Sequence, residues 1–491
     1  MAKRSNTFAL YTATGRLLAM LCNFVVPLFL TRYLSQGDYG LYSQYYMVLT
    51  FTGSIFAFGM QSNLYYFYPG ASEKEQKPLI GNTFIVLFIF ALFAFIFLEI
   101  PLTSQLFIKD NGLSDHKTII AIATLFYIPS FILFPLFVIK GDKVSSVIYP
   151  TLEIILKVLF VIITTMIFHK LKYIFYCLLF FQLAVFIFSF CYSYFSKKDV
   201  EGKWFDGPML FTQIKYAFPF GCAIVLATVS RQFDKILCIS FISPEEYAIY
   251  SLAFYGIPGI NQVYDSVSEV NLLNMSHAFK NGNKKETHIL YKSFCTKLLS
   301  FSAPIIAIVF VFATDIFDCL FTNEYLASVP FFRIYIFSFL FGALGAGTVL
   351  RAAGKTNYSL RAYLYSMILY LPFSYFSIRY YGTWGAIVTA MIGIILPKVF
   401  QIRFERILLG VSLKQYMPWM DFVKILVIAT IFLIPVILAR QILHFNIWMV
   451  AIVSALYLLV VYCVEIKKSL FIVDQSVLRR LIDNTFHKKE I

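Results

Sequence analysis

The chain has 491 residues, 59% of them hydrophobic and only 14% Asp, Glu, Lys or Arg, against the roughly 25% charge of a soluble globular chain. With 55 Phe and 19% aromatic residues, no single core could absorb this apolar surface beneath a charged skin, so a water-soluble protein is excluded and the solvent is lipid. The formal charge of +15, from 41 Lys plus Arg against 26 Asp plus Glu, then marks either a nucleic-acid surface or the loops of one membrane face.

At roughly 20 residues per crossing, the length holds about a dozen or more spans. Apolar runs predict helices at 8–31, 40–63, 80–108, 116–139, 144–168 and 171–195, followed by a charged connection through Lys197, Lys198, Asp199, Glu201, Lys203 and Asp206. Further runs fall at 211–238, 246–273, 288–313, 325–350, 357–378, 382–402, 418–440 and 445–466, for a total of fourteen. The fold class is an all-α polytopic membrane protein. The first run is long, contains Arg16 and flows into another apolar segment, so it reads as a retained helix and not a cleavable signal.

Basic residues set the orientation. With the N-terminus cytoplasmic, alternate loops and the tail on its side collect 28 of the 41 bases, and the opposite side receives seven, Arg32, Lys109, Lys117, Lys170, Lys172, Arg379 and Arg440. This bias is the positive-inside signature, so both termini are expected in the cytoplasm and nucleic acid drops out as a partner. The tail after 467 mixes basic and apolar residues and suits the anionic inner leaflet.

An internal repeat is visible. Ser35-Gln-Gly-Asp-Tyr-Gly-Leu-Tyr-Ser43 and Ser243-Pro-Glu-Glu-Tyr-Ala-Ile-Tyr-Ser251 lie 208 residues apart, with Ser35/Ser243, Tyr39/Tyr247, Tyr42/Tyr250 and Ser43/Ser251 identical. The predicted domains are therefore an N-lobe at 1–208, a C-lobe at 209–416, two additional helices in 417–466 and a tail at 467–491. Six helices per unit relate the lobes by an axis along the membrane normal, as in carriers. The short polar connection is expected to cap the helix that follows it, and its tyrosines suit the membrane interface.

Six bases remain inside predicted spans: Arg16, Lys157, Arg231, Lys235, Arg333 and Lys424. Cations there snorkel, pair or face a wet cavity. Lys424, early in its helix, reads as a snorkelling residue, and Arg333 depends on where its helix begins. Arg16 is either a cavity residue for an anionic group or part of a buried ion pair. Glu153 and Lys157 stand four apart in the favourable order for a structural pair. Arg231, Asp234 and Lys235 leave a local positive excess, which fits the mouth of a cavity for a phosphate-bearing ligand or a displaced helix end. Asp265 and Glu269 share a face four apart, and this pattern serves proton or sodium coupling, or else simply lines water. Upstream, Gly256-Ile-Pro258-Gly259 is expected to loosen the helix.

Other chemistry lacks a signal. The eight Cys show no zinc or dithiol spacing, the six His no metal spacing, and no nucleotide-cradling loop occurs, so no catalytic residue, metal or bound cofactor is expected and the protein does not read as an enzyme.

The run Asn23-Phe-Val-Val-Pro-Leu-Phe-Leu-Thr-Arg-Tyr-Leu-Ser-Gln-Gly-Asp-Tyr-Gly-Leu-Tyr42 resembles the start of bacterial polysaccharide biosynthesis flippases. These are the O-antigen and capsule repeat-unit translocases of the multidrug/oligosaccharidyl-lipid/polysaccharide exporter superfamily. Duplicated six-helix lobes plus two helices match that family over the chain. The resemblance implies alternating access that moves an undecaprenyl-pyrophosphate-linked oligosaccharide from the cytoplasmic to the outer leaflet of the bacterial inner membrane. It implies Arg16 as a first-helix substrate cation and Arg231 and Lys235 as counterparts in the second lobe; Lys157 and Arg333, as cations inside predicted spans, are further substrate-binding candidates. It also implies proton or sodium antiport, with polysaccharide polymerase and chain-length machinery as partners. A related multidrug cation antiporter would need an acidic, aromatic cavity. A membrane polymerase or acyltransferase would need a large external loop or a reactive His/Asp set. A peptidoglycan-precursor flippase differs mainly in cargo.

Overall fold

A computed structural model describes residues 21–22, 24–101, 112–140, 142–195, 202–442 and 446–470. Arg16 lies outside the described residues. The architecture is all-α, with no strand among the described residues, as lipid requires of a chain that must satisfy its own backbone within each segment. Nine described helices are long and apolar enough to cross a membrane, or ten when the bent pair Gly207–Phe218 and Phe220–Phe241 is taken as one span. The protein is thus a multi-pass membrane protein.

In chain order, the short apolar helix α1 (Phe24–Tyr33) leads into α2 (Gln36–Ala57), then α3 (Glu73–Glu99), α4 (Lys117–Ser130) and α5 (Leu133–Ile139). Long helices α6 (Lys143–Phe168), α7 (Leu171–Phe195) and α8 (Gly207–Phe241) follow, and α9 (Pro244–Ala253) begins the second copy of the repeat. Then come α10 (Ile260–Lys280), α11 (Lys284–Val311), α12 (Val329–Ile336), α13 (Ser338–Gly342) and α14 (Thr348–Ala352). Helix α15 (Thr356–Leu409) carries a non-helical Gly382, at φ 53° and ψ −130°, a kink at which two helices meet. The turn α16 (Leu413–Tyr416), α17 (Trp419–Ile442) and α18 (Ile447–Lys467) complete the described chain.

The run predicted at 246–273 is not one continuous helix. It breaks between α9 and α10 at Gly256-Ile-Pro258-Gly259, where both glycines take positive φ, 70° and 90°, a conformation that side chains with a Cβ rarely adopt. The run at 325–350 divides likewise into α12, α13 and α14, with Gly345 at φ 59° and Gly347 at φ 89°.

The chain divides into two compact units. One comprises 1–255, 321–328 and 367–393; the other comprises 256–320, 329–366 and 394–491. The first unit has a core of buried apolar residues from α3, α4 and α5 and from the short helix Asn63–Phe67, including Leu64, Ile80, Leu87 and Ile128. A polar knot is set into it: Gln213 Nε2 donates to Asn63 Oδ1 at 3.1 Å, Thr83 Oγ1 at 3.1 Å and the Leu79 carbonyl at 3.2 Å. Nearby, Asn82 and the backbone of Asp206 exchange two hydrogen bonds, of 2.8 and 3.1 Å, tying the start of α8 to α3. The second unit gathers α10 to α14, both ends of α15, and α16 to α18 around buried side chains such as Phe294, Leu298 and Val349. Here the carboxylate of Glu405 accepts from the Val349 and Leu350 amides, at 2.9 and 3.4 Å, and from the Tyr416 hydroxyl at 2.9 Å. Those two amides are among the free donors at the N-terminus of α14.

Candidate functional site

The two copies of the repeat build the site. Ser35 caps α2 by accepting from the Asp38 amide. Ser243 caps α9 and closes a reciprocal box with Glu246, two polar residues satisfying donors that a helix start leaves free. The capped helices then lie against each other. A Cβ at Gly40 would stand 1.8 Å from the Pro244 carbonyl oxygen, so the approach needs the missing side chain. Further along, the Ser43 and Ser251 hydroxyls, one from each copy, meet at 3.4 Å.

The tyrosines of the repeat correct the sequence reading. Tyr39, Tyr42, Tyr247 and Tyr250 are 3%, 8%, 2% and 0% exposed, inside the unit and not along a membrane interface. The physical reason is the close helix pairing: rings one turn apart on each copy are enclosed by the other, with their hydroxyls near polar partners.

Between these helices lies a cavity of about 390 Å³, walled by Val26 and Pro27 of α1, by Tyr42, Ser43, Tyr46 and Thr50 of α2, by Lys157 of α6, by Lys235 of α8 and by Tyr250, Ser251 and Phe254 of α9 and its end. Two ammonium groups thus face one chamber lined with hydroxyls and aromatic rings. Lys157 Nζ donates to the Tyr46 hydroxyl and lies 4.6 Å from that ring's centre. Lys235 Nζ lies 4.5 Å from the centre of the Phe254 ring. Cation–π contact of this kind steadies a lysine without neutralising it, so both charges stay available to an anion.

Asp234, one residue before Lys235, points away into the protein and is 2% exposed. Its carboxylate accepts from the Tyr250 hydroxyl at 2.5 Å and the Tyr370 hydroxyl at 3.3 Å. Since Tyr250 also walls the cavity, the carboxylate is one hydroxyl removed from the chamber.

The remaining candidates fall elsewhere. Glu153 and Lys157 close no ion pair; the ammonium reaches across to α2 and takes Tyr46 instead. Arg231 is exposed and is not part of the cavity wall. Arg333 belongs to the second unit, where it donates to the Phe310 carbonyl at 3.1 Å and Thr314 at 3.2 Å, bonds that hold the end of α11. Asp265 is exposed on α10; Glu269 lies on the same helix, its side chain outside the described residues. Lys424 is exposed and 3.8 Å from Asp421, as a snorkelling residue would be. Sequence reasoning missed Tyr46, Thr50 and the tyrosine cage of Asp234. The 208-residue repeat did flag Tyr42, Ser43, Tyr250 and Ser251, but as caps and interface residues. No group of His, Cys, Asp and Glu among the described residues could hold a metal ion.

This all-α fold is similar to that of solved transporters of the multidrug/oligosaccharidyl-lipid/polysaccharide exporter superfamily. It is similar to the lipid II flippase MurJ in an inward closed conformation, at TM-score 0.71 and 16% identity over 94% of this chain and 99% of that one. It is also similar to an inward-facing multidrug resistance MATE family transporter of that superfamily, at TM-score 0.59 and 12% identity over 80% and 94% of the two chains. A superfamily transporter from Pyrococcus furiosus, described as having a binding pocket of reverse polarity, gives TM-score 0.53 and 12% identity over 82% and 95%. Residues 6–264 match the family described as polysaccharide biosynthesis protein, and the chain belongs to that family. No curated protein matches the sequence.

Proposed function

We propose that this chain is a flippase that moves undecaprenyl-pyrophosphate-linked oligosaccharide repeat units from the cytoplasmic to the outer leaflet for surface polysaccharide synthesis. The observation that carries the reading is the convergence of Lys157 and Lys235 on one hydroxyl-lined cavity. A diphosphate is a multivalent acceptor, and charge-assisted hydrogen bonds from two ammonium groups suit it; the serine, threonine and tyrosine hydroxyls suit the first sugar. A multidrug cation antiporter would present carboxylates to its cargo, whereas among the described residues the wall of this cavity holds two cations and no carboxylate.

In this reading the lobes 1–208 and 209–416, joined by the pair in 417–466 for a total of fourteen spans, alternate access to the two leaflets. Both termini lie in the cytoplasm, the membrane is the bacterial inner membrane, and a polysaccharide polymerase with its chain-length machinery consumes the delivered unit. Arg16 adds a further cation for the pyrophosphate. Coupling to protons or sodium runs through Asp265 and Glu269 or through Asp234, whose buried carboxylate reaches the cavity by way of Tyr250.

The test is a leaflet-resolved assay of lipid-linked repeat units in a deletion strain and in vesicles containing the purified protein. Inner-leaflet accumulation in the deletion, rescued by wild type and poorly by K157A/K235A or R16A, supports the proposal. Normal translocation by the deletion strain and by all variants would refute it. Rescue that persists only for peptidoglycan precursor would transfer the cargo to that class. Asp234→Asn and D265N/E269Q, compared with and without an imposed proton or sodium gradient, separate the two coupling routes.

A further inference from the structure

In the second unit, the last turns of α15 meet α11, α13 and α17 around an apolar groove of about 470 Å³. Most of its wall is hydrocarbon, including Leu299, Leu344, Val399 and Phe422. At the basic end of α15 the character changes. Arg403 and Arg406 both border the groove, three residues apart and so on one helix face. Neither guanidinium makes a hydrogen bond or ion pair among the described residues. Their intervening neighbour Glu405 is fully buried and turned to the Val349 and Leu350 amides and Tyr416, so it neutralises neither. Like charges on adjacent turns repel, and an anion seated between them removes that repulsion.

The mouth is built for the boundary between water and lipid. Gly410 ends α15 in the left-handed conformation at φ 74°, and the Ser412–Gln415 box starts the short α16, folding the chain back across the helix end. Trp419, half exposed at the groove, donates through its indole to the Leu413 carbonyl at 3.3 Å. An indole with one polar tether and an apolar body is the side chain characteristic of headgroup depth.

We propose that this groove binds an anionic glycerophospholipid of the leaflet on the basic face of the protein. The phosphate sits between Arg403 and Arg406, and an acyl chain lies down the hydrocarbon part. Charge complementarity selects an anionic lipid: a zwitterionic lipid leaves the two cations uncompensated by net charge, and a free phosphate leaves the hydrocarbon empty. The site does not rest on the transport reading, since it shares no residue with the cavity that carries that reading.

The experiment uses full-length protein in a neutral detergent, with its thermal unfolding followed while phosphatidylglycerol, phosphatidylcholine, inorganic phosphate or undecaprenyl phosphate is added. Phosphatidylglycerol is expected to raise the melting temperature of the wild type, with the other three giving little or no shift. The half-saturating concentration should rise about tenfold or more in R403Q/R406Q, as loss of charged hydrogen bonds to phosphate dictates. A second variant, Leu344→Trp, fills the hydrocarbon part and should weaken the response with both arginines intact. Either variant serves if the other fails to purify as a folded monodisperse species. Equal stabilisation by phosphatidylcholine, an undiminished response in the folded variants, or a stronger response to undecaprenyl phosphate would each overturn the assignment, the last by giving the groove to the polyprenyl cargo.

Discussion

Gly40→Ala tests how the cavity is held together. On helix propensity alone the substitution stabilises, because Gly inside a helix costs roughly 0.5–1 kcal/mol relative to Ala. The structure gives the opposite sign. The new methyl would lie 1.8 Å from the Pro244 carbonyl oxygen and 2.5 Å from its carbon, whereas close carbon–oxygen contacts settle at about 3.3–3.6 Å. Helices α2 and α9 must then part by about 1.5 Å. The obstacle is backbone and cannot rotate away, so the cost belongs toward the upper end of the roughly 1–3 kcal/mol seen for overpacked cores. That separation also pulls apart Ser43 and Ser251, now 3.4 Å from each other, and loosens the wall that carries Tyr42 and Tyr250. We expect G40A to melt a few degrees below wild type in detergent and to rescue a deletion strain poorly. Gly207, which begins α8 with nothing within 4 Å of its Cβ position, supplies the control: G207A should match or exceed wild type. A Gly40→Ala protein as stable and as active as wild type would refute the close approach and the reasoning built on it.

Three other outcomes follow from buried polar groups and cavity charge. Gln213→Leu removes the donor shared by Asn63, Thr83 and the Leu79 carbonyl, and should cost about 2–3 kcal/mol in unfolding measurements, since buried partners are left unpaired. Glu405→Leu strands the Val349 and Leu350 amides and the Tyr416 hydroxyl, a loss of about 3–5 kcal/mol; Glu405→Gln keeps an acceptor for them and should lose much less, so equal melting of the two variants would count against the network. Lys157→Ala and Lys235→Ala should each weaken binding of undecaprenyl pyrophosphate by about tenfold or more, measured by tryptophan fluorescence or calorimetry, and a double-mutant cycle should show coupling if both ammonium groups touch one diphosphate.

Much of the scaffold was legible in the residues because lipid imposes a local code. Span length, helix breakage at Gly256-Ile-Pro258-Gly259 and capping by Ser35 and Ser243 each depend on neighbours within one or two turns. The site depends on distant partners. Lys157 stands beside Glu153 in sequence but takes Tyr46, 111 positions away, and Asp234 is caged by Tyr250 and by Tyr370, 136 positions away. The repeat pointed to the right segment, yet its tyrosines suggested an interface because the pattern alone does not reveal that the two copies would enclose each other. Glu405 was hidden for a related reason: between two arginines it reads as surface charge, and only the placement of α14 turns it inward.

The Gly40–Pro244 approach also bears on the history of the repeat. At the 208-residue offset, Gly40 corresponds to Ala248 and Pro244 to Gln36, so the two copies are not interchangeable at this contact: one supplies the glycine and the other the proline. Two identical ancestral halves would have met as equals, each presenting the same surface to the other. The two copies of the segment are now complementary at this point, and a chain carrying the first copy twice would not rebuild the joint on which the cavity wall depends.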